Sequence, residues 1–329
     1  MTAFFRTLFW GVFCLQAMSQ LTSVFAQGVN ANADLLNASQ MQLILKQFAS
    51  DQQKLLSNIT SFTFEANCTF QITPDFAKTL FPNYSDPTVK IKYAASGKKF
   101  IYDVEDSSKT GIYASEKYGF DGEHYQQLLK RSGVLFISSK IKESDSILVN
   151  KQYLFDPFIF VPQERLQKPF TSLTLQQFAS SDNWNSLASR VKKINITSDQ
   201  TNKLLTFEIP GGTDVVSNKL VTFKVVCDEK LLGYPIKWSM VDNAGKIVCE
   251  YTITNLAPIT DKASGMTFYY PKTAEMKRYV NEKLASTAYI TISSIGFNNP
   301  IDDDQFAIDP TQANVIVDVD NHTRVEVPK

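Results

Sequence analysis

The strongest constraint on this fold is the strict two-residue alternation of residues 62–72. Phe62, Phe64, Ala66, Cys68, Phe70 and Ile72 alternate with Thr63, Glu65, Asn67, Thr69 and Gln71. Successive strand side chains point to opposite faces, so this stretch reads as one long strand with a single buried face. Shorter runs repeat the pattern: Thr88–Ala95, then Phe100–Val104 beyond Gly97-Lys98-Lys99, Ile112–Ser115, Glu123–Leu129 after the turn-like Gly119–Gly122, and Val134–Ser138. Short strands joined by polar turns predict an antiparallel meander. A second series follows at Lys192–Thr197, Leu204–Ile209, Leu220–Cys227, Ile236–Asp242, Lys246–Thr254, Met266–Tyr270 and Lys283–Ser294. Asn243-Ala244-Gly245 reads as a hairpin connection, with glycine where a positive φ is needed. Val315–Val319 and Thr323–Val327, joined through Asp320-Asn321-His322, predict a terminal hairpin.

Two segments stand before this body. Met1–Gln27 carries one basic residue, Arg6, then the apolar run Leu8–Phe13 and a small-residue exit at Val24-Phe25-Ala26. That pattern predicts a signal peptide, residues 1–26, too short and too interrupted to span a membrane. Ser39–Asn58 places Met41, Leu43, Ile44, Phe48, Leu55 and Leu56 on a helical period, so an amphipathic helix should pack on the sheet. The remaining residues, 27–329, are expected to form a single enlarged domain, with 170–200 the one defensible place for a subdivision. Leu173–Ser181 and Asn183–Val191 read as short helices. Leu148–Pro169, with Phe155, Phe158 and Phe160 around Pro157 and Pro162, reads as a lid, an inserted loop, a plug or a packed crossover.

Composition excludes some functions. The 33 basic and 33 acidic residues balance and are interleaved, without the concentrated basic footprint of a nucleic-acid binder. Cys14 lies in the leader, which leaves Cys68, Cys227 and Cys249. In an oxidising compartment Cys227–Cys249 is the candidate bridge, with Cys68 a buried free thiol. Asn-x-Ser/Thr triplets at Asn37, Asn58, Asn67, Asn83, Asn195 and Asn321 are glycan acceptors only on a eukaryotic secretory route.

No stretch assembles a catalytic constellation. His124, beside Asp121 and Glu123, and His322 are the only histidines, and no zinc spacing surrounds either. Asp302-Asp303-Asp304 and Asp318–Asn321 lack the central glycine and distal glutamate of a calcium loop. Gly211-Gly212-Thr213 lacks the phosphate-loop ending, Ser138-Ser139-Lys140 lacks a base, and there is no Gly-x-Ser-x-Gly elbow. The expectation is no enzyme, no cofactor and no metal.

The leading helix, the long first strand, the meander and the turn Tyr118-Gly119-Phe120-Asp121-Gly122-Glu123-His124-Tyr125 together resemble the LolA/LolB-like periplasmic lipoprotein-carrier superfamily. The resemblance rests on residues 39–72, 88–138 and Tyr234–Thr254. It is nearest to the outer-membrane lipoprotein-sorting-like proteins of bacteria. It implies a mainly β fold: a strongly curved antiparallel sheet, an incomplete barrel, with helices packed on its concave side. It also implies an apolar cavity for acyl chains. This chain is much longer than the small carriers.

On that basis the candidate apolar lining is Phe62, Phe64, Phe100, Tyr102, Tyr125, Trp238 and Tyr251 on strands, with Phe155, Phe158 and Phe160 from the lid segment. If the sheet is filled by its own side chains, the same residues are core. The expected function is an exported, periplasmic or secreted, non-catalytic protein that binds lipid acyl chains or a lipidated protein. The alternatives are an envelope protein-interaction or regulatory module, and a secreted hydrolase.

Overall fold

The computed structural model describes residues 36–56, 58–76, 88–107, 115–139, 159–161, 173–174, 190–198, 203–214, 218–231, 233–262 and 265–328. The leader, Ile112–Ala114, and most of 148–191, Phe155 and Phe158 among them, lie outside the described residues.

The chain enters through helix α1 (Ala38–Leu56). Asn37 Oδ1 accepts the Gln40 N–H at 2.9 Å while Gln40 Oε1 accepts the Asn37 N–H at 3.0 Å, a reciprocal cap that fixes the helix start. Ile44, Leu45, Phe48 and Ala49 form its buried stripe.

Next come β1 (Ser61–Ile72), β2 (Thr88–Ser96), β3 (Lys99–Asp106), β4 (Glu116–Phe120), β5 (Tyr125–Leu129) and β6 (Val134–Ser138). After the short pair β7 (Ile159–Val161) and β8 (Leu173–Thr174) come β9 (Lys193–Ser198), β10 (Lys203–Asp214), β11 (Lys219–Asp228) and β12 (Tyr234–Asp242). The series closes with β13 (Ile247–Thr260), β14 (Thr267–Val280), β15 (Lys283–Phe297), β16 (Val315–Asp318) and β17 (Thr323–Glu326).

Fifteen of these strands form one sheet in the order β17-β16-β6-β5-β4-β3-β2-β1-β15-β14-β13-β12-β11-β10-β9. The two meanders run away from each other and join where β1 pairs antiparallel with β15. The sheet is mainly antiparallel, curved and unclosed, as the family resemblance implies.

Three differences from the sequence reading have physical causes. First, β16 runs parallel to β6. Residues 301–313 cross the outer face and bury Phe306, Ile308 and Ala313 against Ala94, Ile101, Leu128 and Leu135. The Asn314 N–H then donates to Gly133 O at 2.6 Å and sets the parallel register. Second, β13 and β14 run well past Thr254 and Tyr270. Bulges beside Asn255, and Pro258 and Pro271 on the two strands, break the alternation that a sequence pattern needs. Third, Leu173–Thr174 is strand, where a helix is expected to begin.

No disulfide joins Cys227 to Cys249, and both are buried thiols, as is Cys68. The expected bridge fails because β12 runs between β11 and β13. Cys227 faces Pro235 and Cys249 faces Met240, so they are two strands apart, about 10 Å across the sheet, and offset along it. A disulfide needs Cα atoms within about 7 Å.

Candidate functional site

Residues alternating with the outer charged positions form one continuous inner face. Across the second meander the paired row runs Ala288, Met276, Tyr251, Trp238, Val225, Phe207 and Ile194. Across the first it runs Phe64, Tyr93, Tyr102 and Tyr118. Two buried clusters share Phe62, Tyr251, Ile253, Met276 and Ile295 at their margins, so the apolar surface is unbroken between them. Outside the strip that residues 301–313 cover, the outer face carries charge pairs instead: Lys224 meets Glu208 at 3.6 Å, Lys237 meets Glu250 at 3.0 Å and Lys92 meets Glu65 at 3.1 Å. Partial burial pushes the Glu250 carboxyl up, but Lys237 and the Tyr279 hydroxyl, which donates at 3.0 Å, hold it below its ordinary range.

The inner face is concave over β10–β14. Arg278 on β14 meets Asp214 at the end of β10 at 2.6 Å, with β13, β12 and β11 between them. Helix α1 lies in this curl, its Phe48 ring 5.4 Å from Phe207 on β10. Gly233 has φ 76°, and an added Cβ there would stand 2.1 Å from the Phe48 ring. Glycine at this turn is what lets the helix approach β12 so closely.

Aromatic rings form a ladder across six strands of this face. Phe268 stacks on Phe297 at 4.8 Å, Phe297 on Phe62 at 5.2 Å, and Phe64 on Tyr93 at 5.3 Å. The series continues with Tyr93–Tyr102 at 5.8 Å, Tyr102–Tyr118 at 5.3 Å and Tyr118–Phe100 at 6.2 Å. Offset stacked and edge-to-face rings at 4.5–7 Å are the favoured geometries. Tyr125 stacks on Phe120 at 4.5 Å one strand further on. Trp238 lies almost flat on Tyr251, 5.6 Å apart and 7° between planes, on the far flank.

The structure therefore brings together Phe62, Phe64, Phe100, Tyr102, Tyr125, Trp238 and Tyr251 on one face. Phe64, Tyr102 and Trp238 are core, at 2%, 1% and 4% exposure. Phe62, Phe100, Tyr125 and Tyr251 are half-buried. Phe160 falls in β7, whose side chains are not among the described residues. Sequence reading missed Tyr93, Tyr118, Phe268 and Phe297. The pairings Phe64–Tyr93 and Phe62–Phe297 would have revealed two of them, but register is a tertiary property.

The remaining polar candidates serve turns. Asp121 Oδ1 accepts the backbone N–H groups of Glu123 at 2.8 Å and His124 at 2.7 Å. Partial burial raises its pKa, yet those donors leave it below the ordinary value. Asp318 accepts from Asp320 and Asn321, and Asp320 accepts from Ser138 and Ser139, which locks the β16–β17 turn. Among the described residues no group of three acidic, His or Cys side chains is placed to hold a metal. No helix among them is long and apolar enough to cross a membrane.

No protein-family model matches this chain, and no curated protein matches it in sequence. Solved structures are distantly similar. A DUF1329 family protein from Desulfovibrio piger superposes with a TM-score of 0.45 at 8% identity, over 80% of this chain and 96% of that one. A LolA superfamily protein from Nitrosomonas europaea gives 0.41 at 9%, over 80% and 97%. A putative outer membrane lipoprotein-sorting protein domain from Vibrio parahaemolyticus gives 0.44 at 10%, over 82% and 97%. The likeness to all three is distant.

Proposed function

We propose that this protein is an exported, non-catalytic binder of lipid acyl chains or of a lipidated protein in the cell envelope. The observation that supports this reading is the continuous apolar inner face, with its aromatic ladder, on a sheet that curls over it. A flexible hydrocarbon chain needs a long apolar surface and few polar partners, and each buried methylene contributes about 0.8 kcal/mol. The half-buried Phe62, Phe100, Tyr125 and Tyr251 are the contact positions in this reading, and the fully buried rings are their support. Residues 27–329 act as one domain, residues 1–26 direct export, and the working compartment is periplasmic or extracellular. The thiols of the inner face at Cys68 and Cys227 are pushed up by burial, away from the reactive thiolate.

The test is native purification followed by lipid extraction and mass spectrometry, with a denatured wash as control. Stoichiometric acyl-bearing species support carriage. A protein that is empty, and that takes up no fluorescent fatty acid when offered it, overturns carriage in favour of protein–protein interaction.

A further inference from the structure

The strongest feature outside the inner face is a repeated pattern on three neighbouring hairpin tips. β10–β11, β12–β13 and β14–β15 all turn at the same end of the sheet. In each, a residue with positive φ is followed by a lysine and then by an exposed aliphatic. The three sets are Asn218 (φ 54°)-Lys219-Leu220, Gly245 (φ 77°)-Lys246-Ile247 and Glu282 (φ 65°)-Lys283-Leu284. Leu220, Ile247 and Leu284 are 57%, 40% and 40% exposed, half of the six large exposed hydrophobics among the described residues.

The registers put all three aliphatics on one side. Leu220 pairs with Thr213, Ile247 with Val241 and Leu284 with Tyr279; Val241 and Tyr279 alternate with the inward Met240 and Arg278, and the bulges at Val248 and Ala285 bring Ile247 and Leu284 outward opposite them. They form a line along the outer rim, on strands about 10 Å apart. The connections at the other end behave differently, since Leu231 and Met266 fold back against the core. The rim is also braced as a unit: Lys219 meets Asp242 of the next tip at 2.7 Å, and Lys246 pairs with Glu282 of the one after. Lys283 has no carboxylate partner among the described residues. Three lysines against Asp242 and Glu282 leave the rim one net positive charge.

We propose that these three Lys–aliphatic pairs, Lys219-Leu220, Lys246-Ile247 and Lys283-Leu284, dock the protein on an anionic phospholipid bilayer. The aliphatics enter the boundary between headgroups and acyl chains while the lysines beside them remain at phosphate level. A long-stemmed ammonium next to an apolar group suits that boundary, and anionic lipid attracts it. A protein partner has no need of the same Lys–aliphatic pair three times on separate strands. The proposal goes beyond the acyl-chain reading and does not depend on it.

The test is cosedimentation of the purified protein with two kinds of vesicle, phosphatidylcholine alone and equimolar phosphatidylcholine with phosphatidylglycerol. Binding should be strong only to the anionic vesicles and should weaken as salt is raised. Leu220→Ser, Ile247→Ser and Leu284→Ser combined should weaken it at least roughly tenfold. Val325→Ser, an exposed aliphatic elsewhere, should leave it unchanged, and Lys283→Glu provides a single-site variant that leaves the core untouched. Wild type remaining in the supernatant, or full binding by both the serine and the Lys283→Glu variants, would overturn the proposal. Lipid extraction reports separately on the inner face, so either reading can fail alone.

Discussion

Arg278 and Asp214 meet at 2.6 Å although their strands have three others between them. In a flat sheet four strand spacings would separate them by about 19 Å, beyond the reach of an arginine and an aspartate. Their contact records how tightly the sheet curls, and it sits at 12% and 2% side-chain exposure.

Removing one member of such a pair leaves an uncompensated buried charge. Arg278→Met should therefore destabilise the fold by about 3–5 kcal/mol. Arg278→Met combined with Asp214→Leu should recover most of the loss, because an apolar pair of similar volume is commonly neutral. Urea unfolding of the two single variants and the double variant measures the coupling, and simple additivity would contradict this account.

Gly233 carries two constraints, a positive φ and the Phe48 ring. Gly233→Ala should cost about 2–5 kcal/mol, from the left-handed backbone and from overpacking. Gly97→Ala is the comparison: its φ of 57° is similar, but nothing lies within 4 Å of the added Cβ. It should cost only about 1–2 kcal/mol. Equal shifts in thermal midpoint would remove Phe48 from the explanation.

The three buried thiols should not react with a chromogenic disulfide reagent in the native protein and should all react in denaturant. Burial, and for Cys227 the nearby Asp228 charge, holds the Cys68 and Cys227 thiols in their neutral form. A fast native phase assigned by mass spectrometry to Cys68, Cys227 or Cys249 would show that the sheet opens.

Asp242 ties the β12–β13 tip. The Lys219 side chain and the Lys246 backbone N–H, with the Lys219 charge and the Ala244 N–H adding less, hold its pKa below the ordinary value against the opposing effect of desolvation. A carboxyl with a lowered folded pKa stabilises the fold above its unfolded pKa of about 3.9, and that contribution disappears as pH falls through the folded value. The urea midpoints of wild type and Asp242→Asn should therefore differ at pH near 6, and the gap should narrow as pH falls below about 4. A gap that does not change with pH would exclude the ionic contribution.

Alternation in Phe62–Ile72 foretold β1, and the short runs after it foretold most of both meanders, because a half-buried strand must alternate. The Asn243–Gly245 hairpin was equally visible, since a positive φ selects glycine. The β14–β15 turn was not: Asn281 and Glu282 both have positive φ, at 50° and 65°, and the glutamate gives no local signal. Site residues followed the same division. Phe62, Phe64, Phe100, Tyr102 and Trp238 could be named from regular strands, while Tyr93, on an equally regular one, needed the β1–β2 register to be recognised.

Sequence alone determined the β class, the leading helix, the inner and outer faces of each regular strand, and the charge balance. These depend on period and composition, which are local. Tertiary structure decided that β1 pairs with β15, that β12 separates Cys227 from Cys249, and that β16 lies parallel to β6. It also decided that three Lys–aliphatic pairs share one rim. Each of these depends on which strand becomes whose neighbour, and burial of the combined apolar face sets that choice over separations as large as Phe62 to Phe297.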